Sequence, residues 1–218
     1  MTPDLATRLG RLALDFGRVD RATFHEDGIK PESDTTHTVM LSLLACEFAT
    51  YINSEVGRDW RRFVLKRQFE KVRLDVGRIA QLVLVHDLVE ARWGDVNSFA
   101  ITPEAKAAKD AAEAKALAGL RIEFADAPWM LACIEEYEAR TTPEAKLIHY
   151  LDKCTPKITH AANGCAALKG MGVTREEVIA VHTEQGMRLA AMHPHLHEIV
   201  SPLFQALCEA SEAAWGDE

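Results

Sequence analysis

The sequence predicts an all-α fold, a single-domain helical bundle wrapped around one buried central helix. Three observations carry that expectation. Apolar residues recur at spacings of three and four along most of the chain, almost every interruption has the residue chemistry of a helix cap, and no stretch alternates apolar and polar residues for long. The chain has 218 residues and is 48% hydrophobic. That is enough for one good-sized core, and no Pro/Gly/Ser-rich linker divides it.

Taken in order, Pro3 to Phe16 carries Leu5, Leu9, Leu12 and Phe16, a first amphipathic helix. The segment GRVDRATFHEDGIKPESDTT is polar and punctuated by Gly17, Gly28 and Pro31. It reads as a loop, either an inert connection or one that covers a site. His37 to Asn53 is apolar almost all round, with Asp34, Thr35 and Thr36 available as N-caps, and is expected to be the central buried helix. In Ile79 to Asp95, the residues Ile79, Leu82, Val83, His86 and Val89 form an apolar stripe. Glu90 follows His86 by four residues, which predicts one shared helix face, and Gly94 offers a stop.

Thr102-Pro103-Glu104 starts an alanine-rich helix that Gly119 is expected to end. Pro128 to Arg140 is another helix, and Thr142-Pro143-Glu144 repeats the start signal for one burying Leu147, Ile148 and Leu151. Pro156 cannot donate to the carbonyl of Asp152, so a kink is predicted there. Two further helices follow in VTREEVIAVHTEQGMRLAAM and LHEIVSPLFQALCEASEAAW, for seven to nine in all.

A net charge of −8 argues against a nucleic-acid polymer as partner and leaves small-molecule chemistry as the default. The exception is Gly57 to Arg73, where seven Lys or Arg residues against Asp59 and Glu70 give a local excess of +5. It reads either as a solvated helix face or as a patch whose Arg61, Arg62 and Lys66 draw phosphate to a cleft. Trp60 and Phe63 within it suit core or interface packing better than stacking on a base. The five cysteines are odd in number and lack any CxxC spacing, as expected of reduced thiols. Arg8, Arg11 and Asp15 interrupt the first apolar stripe, so neither a signal peptide nor a membrane span is expected and the cytoplasm is the expected location.

The residues with most chemistry are His37 at a helix start, His86-Asp87 in the second apolar stripe, and Asp152 in the helix after Thr142. A bare His-Asp pair is more often a core histidine satisfied by a carbonyl. Together, two imidazoles and two carboxylates make a mixed N/O set suited to one divalent metal (Mn, Co, Fe, Ni, Zn or Mg). Other histidines are weaker candidates. His193, His195 and His197 read as a solvated turn, His149 as an interior residue or a partner for Asp152, and His182 with Gln185 as pocket lining that spacing cannot decide.

The blocks ESDTTH (Glu32 to His37), HDLVEARWGD (His86 to Asp95) and EYEARTTPEAKLIHYLDK (Glu136 to Lys153) resemble, in order, those of the HD-domain metal-dependent phosphohydrolases. The branch containing the 5′-deoxynucleotidases is the most similar. The resemblance covers about residues 9–157 and leaves 158–218 as a C-terminal helical extension. It implies His37, His86, Asp87 and Asp152 as metal ligands, Glu90 and Asp95 as catalytic residues acting on water and substrate, and Arg18 as the phosphate-contacting arginine. The implied activity is hydrolysis of a (deoxy)nucleotide phosphate ester or anhydride, foremost as a 5′-nucleotidase. The alternatives are a triphosphohydrolase or pyrophosphohydrolase, or a non-catalytic nucleotide-binding regulatory module. Self-association into a homodimer or higher oligomer stays open.

Overall fold

The computed structural model describes residues 1–58, 73–95 and 102–216. The fold is all-α, with one small ribbon. Helix α1 (Pro3–Phe16) is followed by antiparallel β1 (Asp20–Phe24) and β2 (Pro31–Ser33), then α2 (Asp34–Arg58). After α3 (Val76–Val85) comes a 3-10 turn, Leu88–Arg92. The chain continues through α4 (Pro103–Glu123), α5 (Pro128–Ala139), α6 (Pro143–Asp152), α7 (Thr155–Ala162) and the short α8 (Ala166–Gly170). It closes with α9 (Arg175–Met192) and α10 (Pro194–Glu212).

Cap chemistry sets most helix starts. The hydroxyls of Thr2, Thr102 and Thr142 accept from the third backbone N–H beyond them, each just ahead of a helix-opening proline. Thr174 and Glu177 complete a reciprocal capping box at α9. Helix α4 runs on past Gly119, because Leu120 is fully buried and Phe124 beyond it joins the same core. Packing there outweighs the glycine's weak helix propensity.

Helix α2 packs on α3 and α6 through Leu41, Ala45, Ala49 and Ile52. It is not buried all round as expected, since Val39, Leu43 and Tyr51 are exposed on its outer side. Helices α9 and α10 add Leu189, Leu196, Val200 and Phe204 to the main core, and α10 also lies against α6 and α7.

Two departures from the expected pattern position the site. The polar segment after α1 is a hairpin, turned at Asp27-Gly28. Gly28 has φ +67, and the Asp27 carboxylate accepts from the backbone N–H groups of Ile29 and Lys30. The stretch from Ile79 to Asp95 is not one helix either. It breaks at His86-Asp87, with Asp87 at φ −108, and Glu90 lies in the 3-10 turn. Arg92 fixes that turn through ion pairs to Asp15 of α1 and Glu123 of α4. Gly94 ends it at φ +92, a conformation that suits glycine. Among the described residues, no helix is long and apolar enough to cross a membrane. Arg61, Arg62 and Lys66, with Trp60 and Phe63, lie outside the described residues.

Candidate metal centre

Four side chains from three separate segments converge at one point: His37 of the first turn of α2, His86-Asp87 at the end of α3, and Asp152 at the last position of α6. One donor atom from each lies within 4.8 Å of all the others. His37 Nε2 is 3.0 Å from Asp152 Oδ1 and 3.8 Å from Asp87 Oδ2, and His86 Nε2 is 3.0 Å from Asp87 Oδ2. Both imidazoles are buried.

The hydrogen bonds behind the rings decide what that convergence means. His86 Nδ1 lies 2.7 Å from the Val83 carbonyl, which only accepts, so Nδ1 carries the proton and Nε2 is left with a lone pair. The Thr155 hydroxyl donates to the Asp152 carbonyl at 2.8 Å and leaves its oxygen to accept from His37 Nδ1 at 3.4 Å. The carbonyl that Pro156 cannot serve is thereby satisfied, and α6 ends at Asp152. In these neutral tautomers, both Nε2 lone pairs point at carboxylates. Lone pair against lone pair is repulsive unless a proton or a metal cation lies between them. His86 Nε2 is indeed buried with no hydrogen-bond partner despite its nearness to Asp87. The donor set and this orphaned nitrogen fit a borderline divalent ion.

The electrostatics show that this point favours positive charge, whether a proton or an ion. Burial acts against charge on His86, yet Asp87 and Asp152 outweigh it and raise its pKa. Burial likewise disfavours the Asp87 and Asp152 carboxylates. His86 holds Asp87 below the usual carboxylate range, and Lys153 with His37 does the same for Asp152. Lys153 Nζ donates to Asp152 Oδ2 at 2.7 Å.

Beside the four donors, Arg21 of β1 donates from Nη1 to Asp34 Oδ1 at 2.8 Å and Asp87 Oδ2 at 2.9 Å, with Glu90 Oε2 at 4.0 Å. The hairpin is pinned there by Thr23 donating to Glu32 and by Asn163 donating to the Phe24 carbonyl. Glu90 is buried, and its Oε2 lacks a hydrogen-bond partner. Burial, followed by Asp87, Asp95 and Asp34, pushes its pKa up to about 10. Burial also lifts Asp34, to about 6. Asp95 lines a cleft of about 110 Å³ that opens beside Asp152 and Arg21 and extends to Lys157, His160, His182 and Gln185.

Arg18, expected to meet phosphate, points to solvent, with its side chain 77% exposed and paired with Asp15. The arginine at the cluster is Arg21, three residues on and at the inward-facing position of β1. Residues His193 and His197 are no solvated turn. His193 Nε2 is 3.0 Å from His149 Nδ1, and His197 Nδ1 is 2.7 Å from the Tyr150 hydroxyl, so they clasp α10 to α6. The hydrogen bond of His149 Nδ1 therefore goes to α10 instead of Asp152.

The family model described as HD domain matches residues 17–192. The fold resembles a crystal structure, titled as a predicted metal-dependent phosphohydrolase, from Magnetospirillum magnetotacticum MS-1. The TM-score is 0.63 with 22% identity over 96% of each chain. No curated protein matches. The match spans the hairpin, the four converging donors and the helices through α9, and the chain belongs to the HD-domain family.

Proposed function

We propose that this chain is a metal-dependent phosphohydrolase acting on a (deoxy)nucleotide, foremost a 5′-nucleotidase. The observation that carries the proposal is the pair of buried imidazoles whose Nε2 atoms face Asp87 and Asp152, that of His86 with no hydrogen-bond partner. His37, His86, Asp87 and Asp152 are the residues that would hold the ion. Lewis-acid polarisation of a phosphoryl group, with acidification of water, is the chemistry that an ion supplies when bound there. The structural relative is titled as a predicted metal-dependent phosphohydrolase, which supports the same class.

The chain's own residues then divide the work. Arg21 is held by Asp34 and Asp87 at the edge of the cleft, where its guanidinium can offset charge on phosphoryl oxygens. Glu90 is the proposed base toward water, and its ionised form requires positive charge at the ligand set to offset Asp87. Asp95, on the cleft wall, is proposed to orient the substrate. The test is to strip the protein of metal and reload Mn, Co, Ni, Zn or Mg separately. Nucleoside mono- and triphosphates are then offered, with phosphate, pyrophosphate and triphosphate quantified apart. Phosphate release from monophosphates under at least one metal is expected. Nucleotide binding without turnover under every metal would leave a non-catalytic module.

A further inference from the structure

The cleft beside the ligand set continues along α7 and α9, and the proposed chemistry uses none of the side chains at that far end. Its walls there include the apolar Pro156, Leu168 and Val181, with Lys157, His160, His182 and Gln185 as polar neighbours. The polar groups are fixed from behind. His182 Nδ1 is 2.6 Å from Glu212 Oε1, which sets the ring and leaves the Nε2 edge to the cleft. Gln185 Oε1 accepts from Lys157 Nζ at 2.7 Å, which orients the amide so that its NH₂ remains as a donor. His160 is 8% exposed, and its Nδ1 has no hydrogen-bond partner.

These groups discriminate between kinds of ligand. Lys157 is engaged by Gln185 and by the Lys153 carbonyl, and its ammonium lies 4.6 Å from the Phe204 ring centroid. The Lys157 protons are thus already shared with neutral acceptors and a ring face, and burial lowers Lys157, His160 and His182 below their ordinary values. A second phosphate would be desolvated here and compensated only by drawing Lys157 away from these partners. A neutral planar ring instead finds apolar walls for its faces and a donor or acceptor for each edge.

We infer that the α7–α9 end of the cleft is the subsite for the leaving group, and that it takes a neutral heteroaromatic ring of nucleobase type, read by His182 and Gln185. This inference rests on the nucleotide reading above. It also narrows that reading to substrates with one phosphate at the ligand set and a base at the far end.

The experiment uses the full chain loaded with its activating metal. Four deoxynucleoside 5′-monophosphates are compared with ribose 5-phosphate, which lacks the base, and the free deoxynucleosides serve as competitive inhibitors. Gln185→Ala, at a half-buried position, is the mild variant. Glu212→Ala removes the acceptor that orients His182. In each variant kcat/KM for the preferred nucleotide is expected to fall about tenfold, through KM, the size of one lost hydrogen bond. The inhibition constant of the matching nucleoside is expected to rise in step, while ribose 5-phosphate stays within about twofold. Equal losses on both substrates, or an unchanged nucleoside inhibition constant, would overturn the subsite alone. A wild-type enzyme that prefers ribose 5-phosphate to every nucleotide would overturn the nucleotide reading and the subsite with it.

Discussion

Six histidines are buried among the described residues, and two pairs of them, His37 with His86 and His149 with His193, have little in common beyond burial. His149 and His193 bond to each other, and neighbouring Tyr150 and His197 form a parallel pair, so that these hydrogen bonds hold α10 to α6. Burial, followed by Arg140 and Lys153, pushes His149 down to about 3, the behaviour of an imidazole that stays neutral. His37 and His86 instead present their Nε2 atoms to Asp87 and Asp152, and His86 is driven the opposite way by those carboxylates. Burial of a histidine thus identifies nothing by itself. What marks a metal centre is a second nitrogen tied to an oxygen acceptor, leaving the first aimed at converging carboxylates.

The largest test of the contrast removes a donor from each pair. His86→Ala is expected to bind no metal and to lose at least about 10³ in turnover, since Lewis-acid stabilisation is worth several kcal/mol. His193→Gln, on the other pair, is expected to keep full metal content by elemental analysis. Equal metal loss in both variants would erase the distinction.

Glu90→Gln separates holding the ion from acting beside it. Metal is expected to remain while turnover falls by about 10² to 10⁴. A second reading comes from stability without metal. The Glu90 carboxyl is raised to about 10 in the fold, so above its ordinary value the unfolded chain ionises first and stability falls as pH rises. Metal-stripped Glu90→Gln lacks that penalty, and its melting temperature is expected to hold up better than wild type between pH 5 and pH 8. A metal-free Glu90→Gln protein would place Glu90 among the ligands.

Much of this was legible in the sequence, and the misses have physical causes. The four donors stood out as residue types in ordered blocks, and the threonine-proline starts gave the helices. The hairpin was hidden because β1 is too short for alternation to register. The Asp27-Gly28 turn, a strong local hairpin signal, could have revealed it. With the hairpin unseen, nothing in the sequence distinguished Arg18 from Arg21, although only one side of a strand can face the cluster. The pairing of His149 with His193 joins residues 44 apart, a contact that no local periodicity encodes.

Arg21 gives the next smaller effect. Arg21→Ala is expected to lower kcat/KM by about 10², the scale of one removed charge-stabilising donor, whereas Arg18→Ala stays within about twofold. Partial recovery in Arg21→Lys would show that charge is the operative feature. Equal effects at the two arginines would return the assignment to the exposed residue.

The smallest effect belongs to the other histidine pair and appears only in acid. His149 has an ordinary value of 6.5 and is held at about 3 in the fold. Between those values the unfolded chain takes up a proton that the folded chain refuses, so stability falls as pH drops from about 6.5. The slope is at most about 1.4 kcal/mol per pH unit. The depressed carboxylates Asp87 and Asp152 act in the same direction, but only below their ordinary value of 3.8. Burial lowers His160 to about 4, and that effect is common to wild type and variant and cancels in their difference. His149→Gln can keep a hydrogen bond to His193 but cannot titrate. Urea midpoints of metal-stripped wild type and His149→Gln, taken at pH 7 and pH 4.5, are expected to converge in acid because the variant loses less stability. Parallel losses in the two proteins would mean that His149 is not held neutral by the fold, and the contrast with His86 would then lie in ligand geometry alone.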